Sequence, residues 1–315
     1  LVATSVYAGE IAVTGSASLT VEGYSGTSLN AGTSFSQGNQ LTFAGSGELD
    51  NGMNVSLSFV IDEFDDAEAA TNASTNVARS GSIFDSHSVT ISSDAMGTFV
   101  FAGEGGSSAQ SALDTTAAGD MWDNFDGKVT SGATVSASAA GDNSMFYTLP
   151  SVMDDLTLTA SYSPQGSTGE SSISYAATYT GVEGLSVSWG TGETNTGVAT
   201  TKADTDTMKA SYAYGPVTVA YTDTTHNNAT ATSDQDVTSM NISYTVTDAI
   251  SVSYGTETLD AGSSTTDAEY DGFKVTYTAG GMTVTGNHQQ ADNIAYGTGV
   301  TEDMDYWSLG LAFAF

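Results

Sequence analysis

Tyr306-Trp307-Ser308-Leu309-Gly310-Leu311-Ala312-Phe313-Ala314-Phe315 are the last ten residues, and their pattern decides the fold. Large apolar groups fall at Trp307, Leu309, Leu311, Phe313 and Phe315, with small or amphipathic residues between them. A period of two is the mark of a strand with one greasy face. An unpaired edge of this kind invites aggregation. A closed barrel removes the edge by pairing the last strand with the first.

The same alternation runs back through the chain. Met282 and Val284, then Phe273, Val275 and Tyr277, then Ile250, Val252 and Tyr254 mark strands of the second half. Met53, Val55, Leu57, Phe59 and Ile61 mark a clean one near the start, with Asn54, Ser56 and Ser58 between them. In all, about sixteen strands fit the template, an even number as a single-chain bacterial barrel requires. Short connections such as Asp50-Asn51-Gly52, Gly215-Pro216 and Ala279-Gly280-Gly281 carry turn chemistry. Between them lie longer Gly/Ser/Thr/Asn/Asp-rich segments. Short turns on one rim and long loops on the other predict an all-β transmembrane antiparallel β-barrel.

Composition agrees. The chain has 315 residues, no Cys, and a formal net charge of −32 with only 5 Lys and Arg. Without Cys there are no disulfides and no thiolate metal sites. So acidic a chain repels nucleic acid, which is excluded as a partner. Aromatics at 10% argue against disorder. No apolar run is long enough for a transmembrane helix, but barrel strands carry a much weaker signal per segment. Leu1 to Ala8 resemble the tail of a secretory signal. Residues 1–8 therefore read as a signal-peptide remnant, and residues 9–315 as a single barrel.

Parity alone does not separate a membrane barrel from a soluble one, because both alternate. Charge does better, since a charge at mid-span in hydrocarbon is costly. From the seventh strand onward the apolar parity carries charge only near long-loop ends, at Asp206, Asp223, Asp236, Asp271 and Asp305. Tyr and Trp gather near strand ends, as in an interfacial girdle.

One connection stands out. From about residue 105 to 143 the strand pattern lapses between the fifth and sixth strands. A segment that long inside a compact fold is usually functional. It holds Met121-Trp122-Asp123-Asn124-Phe125-Asp126-Gly127, whose aromatics want burial. Such a loop folds into the barrel and narrows it.

With the sixteen-strand plan, Gly97-Thr98-Phe99-Val100-Phe101-Ala102-Gly103-Glu104 before the long third loop, and Phe315 at the end, the chain resembles the general-diffusion porins of Gram-negative outer membranes. Gly9-Glu10-Ile11-Ala12-Val13-Thr14-Gly15 and Gly103-Glu104 are most similar to the alpha-proteobacterial kind. The resemblance implies an outer-membrane homotrimer set in lipid and lipopolysaccharide. Each protomer would have its own water-filled pore constricted by the third loop. It also implies a cluster of Arg and Lys facing an acidic loop.

The sequence departs from that last feature. Its basic residues are Arg79, Lys128, Lys202, Lys209 and Lys274. Lys209 and Lys274 have lumen parity, and Lys128 lies in the loop, so no full basic cluster can be built. Acids are ample: Glu104, Asp114, Asp120, Asp123 and Asp126 lie in or beside the loop, and Glu22 and Asp62 have lumen parity. These residues are the expected pore lining. They imply a negative lumen that favours cations and small neutral or zwitterionic solutes.

Asp62, Glu63, Asp65, Asp66 and Glu68 crowd one loop, and Asp120, Asp123 and Asp126 another. Hard cations, Ca²⁺ or Mg²⁺, take such oxygen ligands, although neither group has EF-hand spacing. His87, His226 and His288 have no ligand spacing. No Gly-x-Ser-x-Gly elbow or other catalytic motif occurs, so no enzyme is expected and no cofactor is required.

Assembly has its own signal. Gly15, Ala17, Gly45, Gly47 and Gly103 are small residues on the outward parity of the early strands. Asp85 and His87 share the lipid-facing parity of Val89 and Ile91. Both features fit a subunit contact through roughly the first five strands and the last. A bulge after Phe84 that turns Asp85 and His87 into the lumen would serve as well. Two other functions remain open: a substrate-selective outer-membrane channel, and a secreted acidic β-rich structural or adhesive surface protein. Lumen aromatic ladders or an Arg track would mark the first, and short calcium-loop repeats the second. None is visible in the sequence.

Overall fold

A computed structural model of the chain describes residues 11–26, 32–62, 85–128, 135–139, 141–164, 171–195, 202–228, 233–262, 264, 266–294 and 302–315. The candidate signal remnant, Arg79, and the acidic-loop residues Glu63, Asp65, Asp66 and Glu68 lie outside these.

Sixteen antiparallel strands close on themselves, each bonded to its sequence neighbours and β1 to β16. They are β1 (Ala12–Gly26), β2 (Gly32–Glu48), β3 (Asn54–Asp62), β4 (Ser86–Ser93), β5 (Gly97–Glu104), β6 (Ser144–Thr148), β7 (Leu156–Ser163) and β8 (Ser172–Val182). The second half holds β9 (Leu185–Thr194), β10 (Ala203–Tyr214), β11 (Val217–Asn228), β12 (Gln235–Thr247), β13 (Ile250–Ala261), β14 (Ala268–Ala279), β15 (Met282–Asp292) and β16 (Met304–Ala314). The third long connection, residues 105–143, is L3.

Local chemistry makes the hairpins. At the β4–β5 turn Gly97 has φ +75°, and a Cβ there would also run into the backbone of Thr148. Only glycine meets both demands. Closure is direct: Gly15 and Phe315 exchange backbone hydrogen bonds of 2.7 and 2.9 Å.

The apolar rows face outward. Trp189, Met208, Met240, Ile242, Tyr244 and Phe273 are all exposed on the outer wall. Leaving one such side chain in water rather than hydrocarbon forfeits roughly 1.5–3 kcal/mol. A continuous wall of them is therefore a lipid-facing surface. Tyr221 and Tyr254 turn their hydroxyls toward Asp223 and Asp271 (3.0 and 3.4 Å) near the long-loop rim. Ring in lipid and hydroxyl toward water is the usual geometry of an aromatic belt.

The outward glycines correct one expectation. The space over Gly15 is filled by the ring of Phe315, and that over Gly103 by His87. At these two positions the small residue serves packing within the chain, not close approach of a neighbour. Gly23 does the same for Trp307. A bulge does occur near His87, but in β5: His87 pairs with Glu104 and Ser88 with Ala102, so the register skips Gly103.

Candidate functional site

Among its described residues L3 has two short 3-10 turns, Ser111–Leu113 and Met121–Phe125, and otherwise irregular backbone. Irregular backbone leaves amides that need acceptors. The serines and threonines of the lumen wall supply them. Ala109 N–H donates to Ser161 Oγ on β7 (2.9 Å), Gln110 N–H to Ser174 Oγ on β8 (2.7 Å), and Ala118 N–H to Ser239 Oγ on β12 (2.9 Å). Gln110 is fully buried; its Nε2 donates to Thr207 Oγ1 on β10 (2.8 Å) while its Oε1 accepts Ser138 N–H (2.9 Å). It thus stitches both arms of L3 to the wall.

The far end of L3 is tied more strongly. Glu257, on the lumen face of β13, is 1% exposed. Its carboxylate accepts Thr116 Oγ1–H and Trp122 N–H, the latter at 3.1 Å. Bonds to a charged acceptor are about twice as strong as neutral ones. Asn124 completes the anchor: its Nδ2 donates to Gln289 Oε1 on β15 (3.0 Å), and its carbonyl accepts Tyr24 O–H from β1 (2.8 Å).

Apolar packing does the rest. Met121 and Phe125 of L3 form a buried cluster with Val237, Leu259, Tyr270, Ile294, Met304 and Tyr306. The strand members sit on lumen parity at the long-loop ends of β12 to β16. Phe125 meets Tyr270 at 5.6 Å and Tyr306 at 6.1 Å between ring centroids. Here the polar-inside expectation fails. An aromatic group does stand on the lumen face, but as the seat of L3 rather than as a ladder for solutes.

L3 therefore covers one side of the lumen. Under it Ser174, Thr205 and Thr207 are buried, whereas Ser34, Ser36 and Ser46 on the inner face of β2 are open. The passage lies between L3 and a hydroxyl-rich wall on β2 to β4. No Lys or Arg stands among the described lumen residues of that wall.

The expected pore residues distribute as follows. Lys209 lies under L3 and its Nζ donates to the carbonyl of Thr115 (2.7 Å). Lys128 stacks its ammonium 4.4 Å from the ring centre of Tyr24. Lys274 is on the lumen face of β14, opposite Ser253 and Asn287. Glu22 accepts Ser34 Oγ–H (2.9 Å) and Tyr306 O–H (3.2 Å). Glu104, at the root of L3, approaches His87 Nδ1 at 3.9 Å. Asp62 ends β3 opposite Gln40.

Asp120 sits in a left-handed conformation, φ 54°, and accepts Thr116 N–H (2.8 Å). Burial, then the neighbouring Asp120, pushes the Asp114 carboxyl up to about 6, against smaller downward pulls from backbone amides and Lys209. Burial, with Asp126 and Asp120, also raises Asp123. Asp126 ends the second 3-10 turn. Asp120, Asp123 and Asp126 do not converge as a metal-holding group; among the described residues no three carboxylates or histidines do.

Sequence reasoning missed Gln110, Thr116, Tyr24 and Glu257. Glu257 alone left a trace, as an acid on the lumen parity of β13 between Gly255 and Leu259.

A family model described as Gram-negative porin matches residues 1–293. The chain belongs to the Gram-negative porin family. Solved structures share the fold at low identity. A multiply substituted Rh. blastica porin is 15% identical with a TM-score of 0.68, over 97% of this chain and 100% of that one. OmpT of Vibrio cholerae with loop L8 deleted is 14% identical with a TM-score of 0.71, over 98% and 99%. No curated protein sequence matches it. This porin is an outer-membrane β-barrel channel protein, and the sixteen-strand plan read from its sequence is the plan it adopts. Its loop-side lysines set it apart from the facing basic cluster that the resemblance implied.

Proposed function

We propose that this porin is a passive diffusion channel for small hydrophilic solutes and ions, with a preference for cations. One observation carries the reading: L3, which bears Asp114, Asp120, Asp123 and Asp126, is fastened to one side of the lumen, and the wall across from it is hydroxylated and free of Lys and Arg among the described residues. Fixed charge of one sign around a constriction sets the sign of the favoured ion. The channel catalyses no reaction and needs no cofactor. It works as a homotrimer in lipid and lipopolysaccharide, joined through the outer face of β1 to β5 and of β16. The apolar outer residues there, Leu57, Phe101 and Leu309, are exposed on the single chain.

Reversal potentials in planar bilayers test the selectivity. Under a KCl gradient the potential should take the sign of potassium permeation, and a chloride sign would reject the reading. Chemical cross-linking in detergent should trap three subunits; monomers alone would reject the trimer.

A further inference from the structure

We propose that the recess beneath L3, built around Lys274, is a transit site for small hydroxylated carboxylates such as sugar acids. The inference rests on the channel reading above and adds to it one class of anionic solute, admitted against the overall cation preference by a local positive site.

The recess holds about 220 Å³ and is lined chiefly by Asn241, Ser253, Lys274, Asn287 and Gln289 of the wall and Asn124 of L3. Strand register builds it. Lys274 stands directly between Ser253 and Asn287, and one step up Gly272 stands between Gly255 and Gln289. The two glycines let L3 come down as a roof. A Cβ at Gly255 would lie 2.6 Å from Ala118 Cβ, and one at Gly272 would lie 2.8 Å from Met121 Sδ.

Its charge is the reverse of the molecule's. The chain has 37 acids and 5 Lys and Arg, yet no Asp or Glu lines this recess and one Lys does. The other two lysines of the lumen are engaged: Lys209 holds Thr115, and Lys128 lies on Tyr24. Lys274 takes part in no ion pair among the described residues. The amides around it are fixed, Gln289 by Asn124 (3.0 Å) and Asn287 by Ser308 (3.0 Å).

An ammonium set among fixed amides is chemistry for a carboxylate flanked by hydroxyls. The carboxylate takes the charge-assisted bond, and amides both donate to and accept from hydroxyls. The recess is only partly enclosed and has a single charge, so binding is weak. Transport needs that, because a solute must enter and also leave.

Gluconate, with sorbitol as its neutral counterpart, tests this on the full-length porin in planar bilayers in KCl. Gluconate should reduce the single-channel current in a saturable way, and sorbitol at equal concentration should not. Lys274→Gln should raise the half-blocking concentration about tenfold, and Lys274→Arg should keep the block, since the charge-assisted bond is the main contact. Asn241→Ala changes no charge and should raise it about threefold, the loss of one neutral hydrogen bond. Three results would overturn the site: gluconate acting no differently from sorbitol, a block indifferent to Lys274→Gln, or a block unaltered by Asn241→Ala. Absence of any KCl conductance would reject the channel reading instead.

Discussion

Lys209 and Thr115 are joined by a 2.7 Å hydrogen bond from the lysine Nζ to the loop carbonyl. A lysine on the lumen face of a strand would ordinarily add positive charge to the pore. Here it fastens the constriction loop, next to Asp114, whose carboxylate it partly compensates. Lys209→Met should therefore both loosen L3 locally and make the passage more negative. The potassium reversal potential is expected to grow, with noisier open-channel current in the same recording.

Asp114 should give the pore a pH dependence. Its carboxyl is pushed up to about 6, chiefly by burial. Raising an acid's folded-state pKa means the ionised form disfavours the docked loop. That cost is full above pH about 6 and fades as the pH falls from there toward the ordinary carboxylate range. The docked loop loses one negative charge as the pH falls through about 6. Cation preference should decline between pH 7 and 5, and Asp114→Asn should start lower at pH 7 and decline less across that range.

Glu257 anchors L3 through Thr116 and Trp122. Glu257→Ala removes both bonds and leaves two donors facing a gap. A buried hydrogen bond to a charged group contributes about 1.5–3 kcal/mol, so the loop should release while the barrel holds. Single-channel conductance is expected to rise. The heat-stable migration of the folded barrel in SDS should persist, and its disappearance would mean that Glu257 supports the wall rather than the loop.

Phe125 tests the apolar half of the anchor. It is 2% exposed between Tyr24, Tyr270 and Tyr306. Phe125→Ala should cost about 3–5 kcal/mol of docking. Limited proteolysis should then cut within L3 at protease levels that leave the parent chain intact.

Closure depends on the aromatic lid over Gly15. Gly15→Leu would drive a side chain into the Phe315 ring. The β1–β16 seam should weaken, lowering the temperature at which the folded band is lost on SDS gels. Gly45→Leu meets little beyond Ile11 and should have a smaller effect.

Much of this molecule is legible in one dimension. Trp307, Leu309 and Leu311 alternate with Ser308 and Gly310 because successive strand residues point to opposite faces. Turn residues such as Gly97 mark the hairpin ends by their own backbone requirement. Strand number, orientation, the position of L3 and the scarcity of lumen lysines all follow from such local signals. Where the local rule was read too widely it misled. Leu259, Tyr270 and Met304 occupy the water-facing parity yet are buried under Phe125. Gly15 and Gly103 looked like room for a neighbour and are filled by Phe315 and His87.

Sequence by itself determined the barrel, since alternation and turn chemistry act between residues adjacent in the chain. Only the tertiary structure decided the pore. Which side L3 covers depends on Gln110 meeting Thr207 and on Thr116 meeting Glu257, pairs 97 and 141 positions apart. Such meetings are set by closure of the whole sheet, and no periodicity in the chain encodes them.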